Sequence, residues 1–150
     1  TRSITLEAFA QAQFNKVLGL DFRGLAGTGP RVKIIGADRV RIYAATAYMY
    51  EYEEPAGNFE TERNHRLSSY LSLTLRLNDN LTLINTSYCQ PRIDDFRDYR
   101  LSHNLDLLFK ISKNLSYSLA LEHLTDNRPV TGMPRKVYSI KNRIVFDFGK

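Results

Sequence analysis

Ile4-Thr5-Leu6-Glu7-Ala8-Phe9-Ala10-Gln11-Ala12-Gln13-Phe14 carries an apolar side chain at every even position. Its odd positions carry Thr5, Glu7, Gln11 and Gln13, with Phe9 as the exception. Successive side chains of an extended chain point to opposite faces, so this segment is a strand with one apolar and one polar surface.

The same alternation recurs along the chain and predicts eight strands. The first covers about 3–14 and turns at Asn15-Lys16. The second runs from about Leu18 to Ile34, with Gly19, Asp21, Arg23 and Leu25 on its polar side. Three glycines between Gly24 and Pro30 predict a bend or bulge there. Strand 3, about Arg39 to Glu53, sets Val40, Ile42, Ala44, Tyr48, Tyr50 and Tyr52 against Arg41, Met49 and Glu51. After a polar loop at 54–63, strand 4 sets His65, Leu67, Leu71, Leu73, Leu75 and Leu77 against Arg66, Tyr70 and Arg76. Strand 5 spans about Leu81 to Gln90, but Leu81 and Leu83 disagree in parity with Ile84 and Tyr88, which a bulge would reconcile. Strand 6 sets Tyr99, Leu101, His103, Leu105 and Leu107 against Arg100, Asp106 and Lys110. Strand 7 sets Leu115, Tyr117, Leu119 and Leu121 against Ser118 and Glu122. Strand 8 sets Tyr138, Ile140, Ile144, Phe146 and Phe148 against Lys141, Arg143 and Asp147.

Long charged loops follow strands 3, 5 and 7, and short turns follow strands 2, 4 and 6. Amphipathic strands of about ten residues with that loop asymmetry are the pattern of an antiparallel, up-and-down transmembrane β-barrel. The long loops would then lie outside a bacterial outer membrane, and both termini on the periplasmic side. The short connection after strand 1 is the exception. A soluble lipocalin-like binding barrel would alternate in the same way with its apolar face inward. Two features oppose it: leucine at almost every other position of strands 4, 6 and 7, and Tyr48, Tyr50, Tyr52, Tyr99 and Tyr138 near strand ends on the apolar face. Aromatic girdles occupy such positions at membrane interfaces.

At 150 residues, 43% hydrophobic, the chain is one domain, and no run approaches the roughly 18 apolar residues of a spanning helix. Its net charge of +5 comes from lysines and arginines scattered singly, without the clustered footprint of a nucleic-acid binder. The single cysteine, Cys89, excludes an internal disulfide and a cysteine-built zinc site. Thr1-Arg2-Ser3 leads straight into a strand. That fits a chain whose leader has been removed, or one beginning partway through a longer protein.

Three segments carry recognisable text: Leu77-Asn78-Asp79-Asn80-Leu81-Thr82-Leu83, then Gln90-Pro91-Arg92-Ile93-Asp94-Asp95-Phe96-Arg97-Asp98-Tyr99-Arg100-Leu101, then Ser112-Lys113-Asn114-Leu115-Ser116. Together with Asp126-Asn127-Arg128-Pro129 and the closing Phe146-Asp147-Phe148, they resemble the family of salt-induced outer-membrane proteins, a domain of unknown function. The resemblance implies further strands upstream, so that these eight would be the C-terminal two-thirds of a barrel of about twelve. It also implies that Phe146 and Phe148 belong to a terminal barrel-assembly signal. It implies no enzymatic activity.

On the barrel reading the lumen receives Glu7, Asp21, Arg23, Arg41, Glu51, Arg66, Arg76, Arg100, Asp106, Lys110, Glu122, Lys141, Arg143 and Asp147. Such charges are tolerable there where they pair or meet water. In an eight-stranded barrel side chains fill the interior and the network is a plug; in a wider parent the same residues could line a small-solute or ion pore. His65, His103 and His123 fall on the apolar face, where Ser102 and Ser118 point away from them and Ser69 lies on another strand. That leaves no catalytic nucleophile in reach, and the expectation is no enzyme and no cofactor. Asp94, Asp95 and Asp98 match no cation cage and read as a solvated loop. The expected partners are membrane lipid and lipopolysaccharide, with a second envelope protein as a further candidate. The expected role is structural or in envelope assembly.

Overall fold

The computed structural model describes residues 3–57 and 60–146. Eight antiparallel strands follow one another in chain order: β1 (Ile4–Asn15), β2 (Leu20–Gly36), β3 (Val40–Pro55), β4 (Glu62–Arg76), β5 (Leu81–Pro91), β6 (Tyr99–Lys110), β7 (Leu115–Asp126) and β8 (Lys136–Phe146). A single 3-10 turn, Lys16–Leu18, joins β1 to β2. Long connections at 56–61, 92–98 and 127–135 share one end with that turn, and the short ones at 37–39, 77–80 and 111–114 share the other. Phe148 and Asp147, expected at the end of the last strand, lie outside the described residues.

The up-and-down sheet is as expected, but it is not closed into a barrel. Each strand pairs with its chain neighbour, and among the described residues β1 and β8 do not pair with each other. The sheet is nevertheless strongly curled. The Tyr70 hydroxyl on β4 reaches the Glu7 carboxylate on β1 at 2.8 Å, and Arg100 on β6 reaches Glu51 on β3 at 2.6 Å. On the long-loop end, Met133 of the last loop presses on Gly19 beside the first turn. A Cβ at Gly19 would lie 2.7 Å from the Met133 Cγ, and Gly19 adopts a left-handed φ of 65°. The last loop thus crosses the open side of the curl.

Side-chain parity decides what each face presents. Even positions of β1 and β3 and odd positions of β4, β6 and β7 face outward. Leu71, at the centre of the sheet, is 51% exposed on that convex face. Buried hydrophobic side chains among the described residues are confined to Leu20, Leu25, Met49 and Ala120, whereas Glu51 is fully buried and Arg66 is 2% exposed. Apolar burial at about 25 cal/mol per Å² therefore holds little of this fold together. Cohesion comes from the continuous interstrand ladder, which satisfies every central strand internally.

Two register details differ from the sequence reading. The glycine-rich stretch from Gly24 to Gly29 is not bulged; it runs in register, and the irregularities flank it, between Leu20 and Phe22 and between Lys33 and Ile35. Gly29 is needed for close approach, since a Cβ there would lie 2.1 Å from the Thr46 carbonyl oxygen. β5 carries no bulge either: it pairs continuously with β4 from Thr82 to Cys89 and with β6 from Leu81 to Pro91. Ile84 and Tyr88 simply face the concave side, and Asn85, Ser87 and Cys89 the convex one.

Candidate functional site

Five strands, β2, β3, β4, β6 and β7, converge on one buried charge cluster at the long-loop end. Arg66 Nε donates to Glu51 Oε2 at 2.6 Å, and both Arg66 terminal nitrogens reach Asp98 Oδ1 at 3.2 Å. Arg100 grips Glu53 with both terminal nitrogens, at 2.7 and 3.0 Å, and donates from Nε to Asp126 at 2.7 Å. Arg23 donates to Glu51 through Nε at 2.8 Å and lies 3.0 Å from Glu53. Arg92 completes the set against Asp98 at 3.3 Å. The planar guanidinium fork suits this arrangement because it can serve two carboxylates at once. Arg23, Arg66, Arg92 and Arg100 balance Glu51, Glu53, Asp98 and Asp126, so the cluster is internally neutralised.

Of the side chains expected in the lumen, Arg23, Glu51, Arg66 and Arg100 meet here. Glu7 sits elsewhere on the concave face, taking Arg31 Nη1 at 2.6 Å and the Tyr70 hydroxyl at 2.8 Å. Glu122 and Lys141 form a separate pair at 2.7 Å. Asp21 departs from the expectation. It falls at the irregularity between Leu20 and Phe22, which reverses parity, so Leu20 is buried and Asp21 is exposed. Asp106 is half-buried, while Arg41, Arg76, Lys110 and Arg143 are exposed toward the short-turn end. Below the cluster, a cavity of about 1100 Å³ runs along the concave face, lined among others by Met49, Ser68, Tyr70, Tyr88, Gln90 and Asn104.

Sequence reasoning missed Glu53, Asp98, Asp126 and Arg31. Glu53 shares the parity of Glu51 and Arg31 that of Arg23 within the strands as read, and Asp126 that of Glu122 once strand 7 is extended, so parity alone would have found three of them. Asp98 has no periodic signal, because it enters from a loop. It is only 5% exposed. Its neighbours are also held by arginines: Asp94 by Arg92 at 2.6 Å and Asp95 by Arg128 at 2.8 Å. The Arg92 fork holds the Asp94 carboxyl below its ordinary range.

On the convex face, His65 stacks against Tyr48, and the His103, His123 and Tyr138 rings form a row. Tyr50, Tyr52 and Tyr99 share that face with them. His103 Nδ1 lies 2.7 Å from the Ser87 hydroxyl, a pair hidden from the sequence by the unsettled parity of β5. Ser87 pairs with Leu71 on one side and His103 on the other.

The model of a family of proteins of unknown function, DUF481, matches residues 1–148, and the chain belongs to that family. No curated protein and no solved structure matches it. The family description carries neither a salt response nor a cellular location.

Proposed function

We propose that this DUF481 chain forms the greater part, or the whole, of an outer-membrane β-barrel with a structural or envelope-assembly role. One observation carries the proposal: the polarity of the sheet is inverted. Arg66 and Glu51 are buried on the concave face, while Leu71, Tyr138, Ile140 and Ile144 stand 51%, 71%, 69% and 67% exposed on the convex one. In water an exposed apolar surface of this extent is costly, whereas in a bilayer it is the solvated face. The convex aromatics would then sit against lipid and lipopolysaccharide headgroups, and the long loops would offer the surface for a second envelope protein. On this reading the buried cluster closes the long-loop end as a plug, and no catalysis is involved.

The open edges of β1 and β8 favour a second reading. Further strands between them would complete a wider barrel, and its lumen could pass ions or small solutes. Conductance that changes when Arg66 or Arg100 is neutralised would select the pore over the plug.

The membrane assignment itself is tested by labelling. In vesicles carrying the Cys89→Ser, Leu71→Cys variant, a lipid-soluble maleimide should modify position 71 and a membrane-impermeant one should not. Equal labelling by both reagents would return the chain to water and overturn the proposal.

A further inference from the structure

We infer that the short-turn end of the concave face holds a binding site for a phosphate-bearing anion, built from Ser3, Thr5, Arg31, Lys33 and Tyr43. These residues line a second cavity of about 260 Å³, separate from the buried cluster. It opens to solvent and is wide enough to admit a phosphate group. The inference goes beyond the barrel proposal, and it stands on the concave face whether or not the convex face meets lipid.

The lining is two cations and three hydroxyls, a donor set that suits phosphate oxygens. Arg31 is held in position before any ligand arrives. Its Nη1 donates to Glu7 at 2.6 Å, and its guanidinium carbon lies 3.9 Å from the centre of the Tyr43 ring. Its Nε, by contrast, is buried without a hydrogen-bond partner, and no other buried side-chain nitrogen or oxygen among the described residues is left in that state. Burying an unmatched donor is costly, and an acceptor reached by a small shift of the Arg31 side chain would relieve that cost. The Lys33 backbone is tied to β1 by its N–H on the Ser3 carbonyl at 3.0 Å, which sets the two sides of the cavity against each other.

The surrounding field has the same sign. Arg41, Arg76, Lys110 and Arg143 share the concave face toward this end. Glu7 is already engaged by Arg31 and Tyr70, and the other carboxylates toward this end are Asp106 on β6 and the turn residues Asp38 and Asp79. An anion entering here meets an excess of positive charge with few internal competitors.

The phosphate could belong to a soluble compound or to a lipid headgroup, and one pair of titrations separates them. The full chain, in zwitterionic detergent at low salt, is titrated calorimetrically with tripolyphosphate and separately with short-chain phosphatidylglycerol. Saturation by tripolyphosphate supports the site with a soluble ligand, and saturation by the lipid alone supports it with a headgroup. In whichever arm binds, Lys33→Gln should weaken binding about tenfold, the worth of one charge-assisted hydrogen bond. Arg31→Lys keeps the charge but removes the Nε donor, and it should weaken binding comparably. Arg63→Gln, a cation on the opposite face over Tyr52, should leave it unchanged. A heated-versus-unheated gel shift verifies that each variant is folded. No saturation in either arm at millimolar ligand, or equal weakening by Lys33→Gln and Arg63→Gln, would overturn the inference.

Discussion

The Tyr70 hydroxyl donates to Glu7 Oε2 at 2.8 Å across 63 positions of sequence, joining β4 to β1 although two strands lie between them. No ladder hydrogen bond can make that connection, because the ladder joins only neighbours. The contact reports the curl of the sheet directly. Tyr70→Phe should therefore lower stability by about 1.5–3 kcal/mol, the range for a hydrogen bond to a charged group. The urea midpoint in detergent micelles would read this, and an unchanged midpoint would mean the curl is held elsewhere.

Breaking the buried cluster should be more damaging than breaking an exposed pair. Arg66→Met leaves Glu51 and Asp98 without their shared donor in a buried setting, at a cost of about 3–5 kcal/mol. Asp94→Asn removes only an exposed partner of Arg92 and should leave the urea midpoint close to that of the parent. Comparable losses for the two variants would show that the cluster is not energetically distinct.

Acid acts on the exposed pair in a defined direction. The Asp94 carboxyl lies below its ordinary value because Arg92 donates to it. A lowered folded-state value contributes above the unfolded one and is lost as pH falls through the folded one. The difference in stability between parent and Asp94→Asn should thus shrink toward zero as pH drops below the ordinary carboxylate range. A difference that grows there would contradict the pairing.

Leu71→Arg separates bilayer from water. On the lipid face a midplane arginine costs about 2–4 kcal/mol, and on a water-exposed strand it costs little. Folding yield into vesicles, followed by the gel shift, should fall sharply, while Leu71→Ile should fold as the parent does. Equal yields for both variants would count against the membrane proposal.

Gly29→Ala tests the close approach of β2 to β3. The added Cβ would lie 2.1 Å from the Thr46 carbonyl oxygen, which is backbone and cannot swing aside. Overpacking of this kind costs about 1–3 kcal/mol. The alanine variant should lose that much in the urea midpoint, and no loss would imply that the strands part easily.

Residue parity was enough to derive eight antiparallel strands in chain order, the end at which each long loop lies and the face on which Glu7, Glu51 and Glu122 fall. Alternation is a local property, and strand geometry converts it directly into sidedness. It also placed Arg23, Glu51, Arg66 and Arg100 on one face. Local pattern failed where one residue is added or where the chain leaves the strand. The irregularity beside Leu20 turns Asp21 outward, and Asp98 joins the cluster from a loop that obeys no period. Tertiary structure alone decided that β1 and β8 do not pair with each other among the described residues, that Arg100 reaches across from β6 to Glu51 on β3, and that Arg31 keeps a buried donor without an acceptor. Each of those depends on how far the sheet curls, a sum of small twists over many strands that no short window of sequence records.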